Sequence, residues 1–457
     1  MRFFLYYFFV LSVIYMILGC KKFVEIDPPK TRLVTSSVFT SDAGANAAIS
    51  GIYSKMMDAT NGIMNGGVTL YAGLSADEFD DFSSGSQQTE FYKNSLTASN
   101  GLNQRIWQEG YKLIYAANAI IYGVINGNGV TAATSAQVTA EAKFIRAYCH
   151  LMLVNLYGDI PLVLSTDYGE NSAIARTPAA QVYEAIIMDL KDAQTNLPGD
   201  FSLSGGEKIR PNKWAATALL ARMYFYKSDW TNAEAQSSTL ITNPLFGLEA
   251  NLNNVFLKNS KEAIWQLMPV KSGVNTYEGQ IFILIARPDN VALTSQLVQS
   301  FQTGDTRKQK WMDSIFIGGK TYYYPFKYKI KTSSTITEYY SVLRLAEQYL
   351  LRAEARCQLG NIAGAVADLN IIRTRASLTD LNVSLTKLQC MAAIGQERRS
   401  ELFCEWGHRW LDLKRRGEVD AVLGPLKTPN WIPSDALYPI PSIQLLNDQN
   451  ITQNPGY

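Results

Sequence analysis

Residues 341–375 read SVLRLAEQYLLRAEARCQLGNIAGAVADLNIIRTR, and their pattern decides the fold class. Apolar side chains recur every three or four positions on each side of Gly360, which predicts two amphipathic helices, 341–358 and 361–375. Such a short connection between amphipathic helices produces an antiparallel hairpin. Small residues at steps of seven, five and four are typical of the tetratricopeptide repeat, where close helix crossings exclude bulky side chains. Two hairpins have these steps, on Ala221, Ser228, Ala233 and Ser237, and on Ala353, Gly360, Ala365 and Leu369.

The rest of the chain extends this helical pattern. Further helices are predicted at 41–58, 103–125, 139–157, 178–196, 212–227 and 231–242, with a last pair near 386–416. Residues 60–102 are rich in Gly, Asn, Ser and Asp and are predicted to be loops. Residues 244–340 are an aromatic-rich insertion, in which Gly318 and Gly319 between two aromatic runs predict a β-hairpin. The expected fold is mainly α, a tetratricopeptide-like scaffold of helical hairpins with an irregular insertion that contains short β-hairpins.

The first residues have the features of an export signal. Arg2 precedes an apolar run, Phe3 to Leu18, whose 16 residues are fewer than the roughly 20 that a membrane-spanning helix needs. The tetrapeptide that ends at Cys20, Ile-Leu-Gly-Cys, resembles a bacterial lipobox, in which the cysteine is acylated and becomes the first residue. An ordinary cleaved signal followed by an unrelated cysteine is the alternative.

These features predict a division of the chain into three parts. Residues 1–19 are expected to be a lipoprotein signal peptide, and residues 20–40 the lipidated Cys20 with a Pro- and Thr-rich tether. Residues 41–457 are expected to form a single domain, with the loop region 60–102 and the insertion 244–340 attached to the helical scaffold.

Charge and cysteine content exclude several classes of function. The formal charge is +2, and the densest basic cluster, Lys414–Arg416, suits the last turn of a helix, so no nucleic-acid partner is predicted. After Cys20 the cysteines are far apart and form no CxxC pair, which excludes the common metal and redox motifs. We expect buried free thiols, although two disulfides are an alternative in an exported chain. The four residues are Cys149, Cys357, Cys390 and Cys404.

Two clusters of titratable residues each have a chemical and a structural interpretation. Steps of four, four and three put potential metal ligands on one helix face, but neighbouring arginines favour a network of ion pairs between helices. The potential ligands are Glu397, Glu401, Glu405 and His408, and the arginines are Arg398, Arg399 and Arg409. A second acidic cluster could supply a glycosidase pair, but adjacent acids in a Gly- and Ser-rich loop are more often turn and cap residues. Its members are Asp77, Glu78, Asp80 and Asp81. No catalytic residue, metal site or cofactor is predicted.

Several segments of the chain resemble the RagB/SusD family of outer-membrane lipoproteins from Bacteroidota. They are AGLSADE at 72–78, LRLAEQYLLRAEA at 343–355, the ERR-EL-E-RW-DLK-G block from Glu397 to Gly417, YPIP at 438–441 and QNPGY at 453–457. Together with the tether after Cys20, the resemblance spans essentially the whole chain. It departs from the family in one respect, because Lys21 and Lys22 follow the cysteine where surface-exposed members often carry acidic residues.

The resemblance implies a surface-facing lipid anchor in the outer membrane, binding of a glycan or other nutrient without catalysis, and a TonB-dependent transporter of the SusC type as partner. In the family, the first loop region and the insertion lie near each other and line the glycan site. A sugar needs aromatic planes for its C–H face and polar groups for its hydroxyls, and both regions contain them. The residues predicted to bind ligand are Trp311, as the first choice, Tyr322, Tyr323, Phe82, Tyr92 and Asn100, with Phe79 and Phe91 beside them.

Two other functions stay open. A tetratricopeptide scaffold would bind protein and would need no aromatic insertion, so the aromatic density of residues 244–340 favours the nutrient-binding protein. A surface glycoside hydrolase would need an acid pair across a cleft, which the sequence does not display. The identity of the ligand does not follow from the sequence, because loops determine specificity.

Overall fold

The computed structural model describes residues 38–457, and these contain eighteen α-helices and eight short strands. The predicted signal peptide at 1–19, the predicted lipid anchor Cys20 and the tether up to residue 37 lie outside the described residues. Within residues 38–457, no helix has the length and apolar character needed to cross a membrane.

The elements follow one another in this order. The helices are α1 (Asp42–Asp58), α2 (Gly67–Ser75), α3 (Ser86–Lys93), α4 (Gly101–Asn126), α5 (Ala132–Tyr157), α6 (Tyr168–Asn171), α7 (Ala179–Asn196), α8 (Lys213–Tyr226), α9 (Trp230–Ile241), α10 (Tyr277–Phe282), α11 (Ser295–Gln299), α12 (Thr306–Trp311), α13 (Leu345–Gln358), α14 (Ile362–Arg375), α15 (Lys387–Glu401), α16 (His408–Arg415), α17 (Val419–Leu426) and α18 (Ser442–Asn447). The strands are β1 (Phe79–Asp81), β2 (Ile160–Pro161), β3 (Arg176–Thr177), β4 (Ala263–Leu267), β5 (Val291–Leu293), β6 (Met312–Ile317), β7 (Lys320–Pro325) and β8 (Tyr340–Arg344).

Helices that pack in series form the frame. α4 packs on α5, α5 on α7, and α7 on α8, after which the hairpins α8–α9 and α13–α14 meet through α9 and α13. Asn212 and Asn361 begin α8 and α14 as N-caps, each accepting a hydrogen bond from the first turn. The alanines at the tetratricopeptide-like positions, Ala221, Ala233, Ala353 and Ala365, are fully buried. The predicted mainly α fold of helical hairpins is confirmed.

The helix predicted to begin at residue 341 begins later, at Leu345. Tyr340–Arg344 form strand β8 instead, antiparallel to β4, and every residue of both strands is buried. Arg344 has extended backbone angles, φ −140° and ψ 155°. A strand that is buried on both faces lacks the alternation of apolar and polar residues that identifies a strand. Its apolar residues therefore looked like the start of the helix that follows.

The prediction of loops for residues 60–102 is wrong for three segments, which form α2, β1 and α3. All nine residues of α2 are buried, so the helix has no polar face and no 3.6-residue pattern to detect. Its glycines are required by close packing. A Cβ on Gly73 would lie 2.7 Å from the Phe79 ring, and one on Gly67 would lie 2.4 Å from the Asn61 carbonyl oxygen. Tertiary packing, rather than local propensity, makes this segment helical.

The insertion contains the predicted β-hairpin. β6 and β7 pair from Met312↔Pro325 to Ile317↔Lys320. Gly318 and Gly319 form the two-residue turn with φ of 62° and 79°, the left-handed angles that this type of hairpin turn requires. β7 also contacts β5, which pairs with β1 through Phe79↔Leu293 and Asp81↔Val291. The strands therefore bring the insertion next to residues 79–82.

Candidate functional site

Glu397 and Glu401 on α15, and Glu405 after its end, belong to a charge network. The prediction that these residues and His408 share one helix face is wrong, because α15 ends at Glu401 and His408 begins α16. Arg344 donates to the buried carboxylates of Glu262, Glu401 and Glu405, with N–O distances of 3.0, 2.7 and 2.8 Å. Arg307 is fully buried and donates to Glu401 at 3.0 Å and to Glu397 at 2.6 Å. Because each carboxylate has guanidinium partners, the predicted network of ion pairs is confirmed. Residues 38–457 contain no group of three or more side chains arranged to hold a metal ion.

Four of the residues predicted to contact ligand lie in the core. Trp311, Phe79 and Phe91 are fully buried, and Asn100 is 1% exposed. The Trp311 indole N–H donates to the Leu252 carbonyl at 3.0 Å. Asn100 caps α4 and accepts from the backbone N–H groups of its first turn, both at 3.0 Å. The prediction is wrong for these four, because neither face of a buried ring is available to a sugar and the Asn100 amide is occupied by its own backbone.

Phe82 and Tyr322 bring the two predicted regions together. Their rings meet edge to face, with centroids 5.6 Å apart and planes at 82°. The exposed ammonium group of Lys320 lies 5.0 Å from the Tyr322 centroid and 5.9 Å from that of Phe82. The Phe82 ring is half-buried and the Tyr322 ring is almost completely covered, so Phe82 presents the accessible aromatic surface.

Asp80 and Tyr92 line a cavity of about 270 Å³, to whose wall neither Phe82 nor Tyr322 contributes. Asp80 faces the same side as Phe82, because alternate side chains of an extended segment share a face. The Tyr92 hydroxyl donates to Asp80 at 3.4 Å, and the Lys427 ammonium lies 4.4 Å from the Tyr92 ring centroid. The polar lining consists of Asp77, Asp80, Tyr92, Lys93, Thr294, Gln296, Lys427, Thr428 and Asn430. The surface formed by Asp80, Phe82, Tyr92, Lys320, Tyr322 and Lys427 is called the Phe82 face below.

Opposite charges meet on the Phe82 face. Burial raises the pKa of Asp80, although the Tyr92 hydrogen bond and the charges of Lys320 and Lys427 oppose that rise. Burial lowers the pKa of the Lys427 ammonium to about 8. Lys427 also donates to the carbonyls of Leu74 at 2.9 Å and Tyr92 at 2.8 Å, which fixes it in the cavity wall. The face therefore combines an aromatic ring, a carboxylate acceptor and ammonium groups, of which Asp80, Tyr92 and Lys427 line the cavity.

The other acids of the cluster are engaged by the protein itself. Asp77 accepts from Arg409 at 2.7 Å and from Arg399 at 2.6 Å. Burial would raise the Asp77 pKa, but these two arginines outweigh it and hold that pKa below its ordinary value. Glu78 accepts from the Cys404 backbone N–H at 2.9 Å, and burial raises its pKa to about 7. Asp81, the last residue of β1, accepts from Ser83 in the following turn and from Gln88 and Thr89 on α3.

Tyr323 lies on the opposite face of the β6–β7 hairpin from Tyr322. It is 36% exposed and sits diagonally across from Phe316, which is 71% exposed. Side chains of successive residues on a strand point to opposite faces, so Tyr322 and Tyr323 cannot line the same surface. Of the six residues predicted to bind ligand, the structure gathers Phe82, Tyr92 and Tyr322 in one place.

Three members of the Phe82 face were not predicted as ligand-binding residues. Asp80 was assigned to a turn, and Lys320 was read as part of the hairpin turn. Lys427 reaches Tyr92 across 335 residues of sequence, in the hydrogen bond to its carbonyl. The only signal for Lys320 was its place between a Gly-Gly turn and an aromatic run, and Lys427 had no sequence signal.

Comparison with known proteins bears on the family and the fold of the chain. Residues 22–225 match a family described as "starch-binding associating with outer membrane", and residues 188–457 match the SusD family itself. The chain belongs to the SusD family. Among its relatives, SusD-like protein P2 of Formosa agariphila is 29% identical, with 96% of this chain and 97% of the relative covered. A SusD-like protein of Bacteroides ovatus is 24% identical over 84% of this chain and 77% of the relative.

Solved structures of SusD-like proteins share the fold of this SusD-family protein. A SusD superfamily protein from Bacteroides vulgatus superposes with a TM-score of 0.83 at 22% identity, covering 92% of this chain and 100% of the other. A laminarin-binding SusD-like protein superposes with a TM-score of 0.78 at 23% identity, with the same coverage. These similarities confirm the predicted membership of the RagB/SusD family and the predicted SusD-like fold, in a family associated with carbohydrate binding and the outer membrane.

Proposed function

We propose that this SusD-family protein binds an oligosaccharide on the Phe82 face and does not cleave it. The contact of Phe82 with Tyr322 carries the proposal, since it brings the first loop region and the insertion together. A pyranose ring has apolar C–H faces and a rim of hydroxyls. Phe82 would take the C–H face, and Asp80, Lys320 and Lys427 would bind hydroxyls at the rim. The laminarin-binding protein of the same fold supports this ligand class.

Binding without cleavage follows from how the carboxylates are used. Glycoside hydrolysis needs an acid and a second carboxylate about 5 to 10 Å apart across the bond that breaks. Asp77 and Asp80 both line the cavity, but two arginines hold the Asp77 carboxylate. Glu78 accepts from the Cys404 N–H, and Asp81 accepts from Ser83, Gln88 and Thr89. Among the described residues, Asp80 is the one carboxylate of this cluster whose hydrogen-bond donor is a single hydroxyl, that of Tyr92. One such carboxylate can accept a hydroxyl but does not form a catalytic pair.

Calorimetry against soluble polysaccharides, starting with laminarin and starch, tests the proposal. Phe82→Ala removes the aromatic surface and should weaken binding by about twofold to twelvefold, since an aromatic contact contributes about 0.5–1.5 kcal/mol. Phe316→Ala is the matched control, because it removes an equally large exposed ring from the outer face of the hairpin and should leave binding unchanged. Product analysis after long incubation should find no released sugar.

Each contrary result has a defined meaning. Released oligosaccharides would make the protein a hydrolase. Equal binding by the wild type and Phe82→Ala would move the site away from the Phe82 face. Binding of a peptide or folded protein, with no affinity for any polysaccharide, would favour an interaction scaffold of tetratricopeptide type.

Delivery to a transporter and lipid anchoring complete the proposal. The ligand would pass to a TonB-dependent transporter of the SusC type, as the family membership suggests, with the acyl chains of Cys20 holding the protein at the outer membrane. Cys20→Ala should release the protein from the membrane fraction, because acyl chains supply the membrane affinity. Purification of the wild-type protein in mild detergent should yield a stoichiometric TonB-dependent transporter, identified by mass spectrometry. Retention of the Cys20→Ala variant in the membrane fraction would contradict lipid anchoring. A purified wild-type protein without a transporter would contradict delivery to a SusC-type partner.

A further inference from the structure

A second cleft lies between α4, α6 and α18, and no residue that lines it belongs to the Phe82 face. Its volume is about 460 Å³, within the range of about 300–1,000 Å³ typical of small-molecule sites. Trp107 and Tyr111 form the floor, with ring centroids 4.9 Å apart. The Tyr111 hydroxyl donates to the Pro161 carbonyl at 2.8 Å, so the floor is fixed in position.

An exposed aromatic ring forms one wall of this cleft. Tyr168, the first residue of α6, is 84% exposed, and its ring makes no aromatic or cation contact with any residue in 38–457. The backbone that carries the ring is held in place, because the Asp167 carboxylate caps α6 by accepting from the Glu170 N–H at 2.9 Å. A large exposed ring on a capped turn is a surface on which an apolar ligand face can stack.

The rim of the cleft carries amide groups that the protein leaves unpaired. Gln444 and Asn447, both on α18, have no side-chain hydrogen bond to any part of the described chain. Asn171 and Asp448 add an amide and a carboxylate to the same rim. Side-chain amides both donate and accept, which suits the hydroxyls of a sugar better than it suits an apolar peptide side chain.

The cleft continues into a larger groove between α1 and α4. The two share Trp107, Tyr111 and Gln444 in their linings, and the groove has a volume of about 1,100 Å³. Tyr115, which is 55% exposed, and Gln108, whose amide has no partner in residues 38–457, extend the same combination of ring and amide along α4. An extended polymer therefore has room to continue past the cleft, whereas a monosaccharide would fill only part of it.

We propose that this cleft, named the Tyr168 cleft, is a second carbohydrate-binding site that holds another stretch of the same polysaccharide chain. The inference rests on the proposed function in one respect, that the ligand is a carbohydrate. Tyr168 and Tyr115 stack on sugar rings, and Gln444, Asn447 and Gln108 bind hydroxyls. When one polymer occupies the first site, its effective concentration at the second site is high, which raises the overall affinity. A long polysaccharide should therefore bind more tightly than a short oligosaccharide, although the contacts at each site are the same.

Calorimetry with laminarin and with starch, on the variants Tyr168→Ala, Phe82→Ala and the double variant, tests the inference. Each single variant should weaken polysaccharide binding by about twofold to twelvefold, and the double variant should weaken it by more than either single variant. Tyr122→Ala is the matched control, because Tyr122 is 61% exposed on the same helix α4 but lines neither the cleft nor the groove. A Tyr168→Ala variant that binds polysaccharide as tightly as Tyr122→Ala would overturn the inference.

Hydrogen–deuterium exchange on the full chain with bound polysaccharide separates the two sites. Protection of residues 104–116, 166–174 and 442–451 is the signature of the Tyr168 cleft, and protection of residues 79–93 and 318–324 is that of the Phe82 face. Protection of the first set alone supports this inference and contradicts the Phe82 face. Protection of the second set alone supports the Phe82 face and contradicts the Tyr168 cleft. If no polysaccharide protects either set, both proposed sites are wrong. Protection of the first set by a peptide but not by a polysaccharide also overturns the inference.

Discussion

Replacement of Trp311 distinguishes a core residue from a ligand platform. Trp311 is fully buried, packs against Phe256 with centroids 5.7 Å apart, and lies 4.9 Å from the Lys327 ammonium. Truncation of a buried tryptophan to alanine costs about 3–5 kcal/mol. The loss of its hydrogen bond also leaves the Leu252 carbonyl oxygen without that donor, which adds about 1–3 kcal/mol if water cannot enter. Trp311→Ala should therefore lose about 4–8 kcal/mol, a large part of the 5–15 kcal/mol by which folded domains are usually stable.

Urea unfolding followed by circular dichroism measures this loss, and two further variants sharpen it. Trp311→Phe keeps an aromatic ring but not the indole N–H, so it should lose about 1–3 kcal/mol. Tyr323→Ala removes an exposed ring from the neighbouring hairpin and should change stability by less than about 1 kcal/mol. At temperatures where Trp311→Phe is fully folded it should bind polysaccharide like the wild type. The reasoning is refuted if Trp311→Ala unfolds at the wild-type urea concentration yet no longer binds sugar.

Three further predictions concern buried groups. Burial raises the pKa of Glu278 to about 8. The protonated carboxyl therefore stabilises the folded state fully below the ordinary pKa of about 4.5, and this contribution is lost as the pH rises through 8. The free energy of unfolding should fall between pH 5 and 9, and Glu278→Gln should make that fall smaller in denaturation curves. Arg344→Met strips a shared partner from three buried carboxylates and should cost at least about 3–5 kcal/mol in the same assay. Lys112→Met breaks a single exposed pair, with Glu109, and should cost about 1 kcal/mol or less. Burial raises the thiol pKa of the four cysteines in residues 38–457. A thiol reagent should therefore label none of these four in the native protein and all four after unfolding without reductant, and a mass corresponding to disulfides would contradict this.

The sequence was informative where residue spacing has a direct geometric meaning. Hairpin α8–α9 and helix α14 were predicted to within a residue or two, because small residues at helix crossings and Asn caps are local signals. The β6–β7 hairpin was predicted for the same reason, from two consecutive glycines that can adopt left-handed angles. Each of these signals depends on residues that are close in the sequence.

The wrong predictions concern segments and side chains that are buried on all sides. α2 has no polar face, so a helix looked like a loop, and β8 looked like the first turn of α13. Trp311 was chosen because large aromatic residues suit a sugar, but composition does not tell which side of a helix end faces the core. The Phe82 face also depends on Lys427, whose contact with Tyr92 joins parts of the chain that no local pattern connects.

The charge network connects these long-range contacts to the motifs of the C-terminal helices. Asp77, three residues before Asp80, is fixed by Arg399 on α15 and Arg409 on α16. Lys327, five residues after Tyr322, donates to the Glu405 carboxylate and, at 2.9 Å, to the Glu401 carbonyl. Both halves of the Phe82 face are therefore attached to the same short segment, 399–409. Buried ion pairs of this kind add little net stability compared with apolar side chains of similar size. Their role is therefore better explained by the way they position the segments that they join. They set the distance between Phe82 and Tyr322, which come from parts of the chain 240 residues apart.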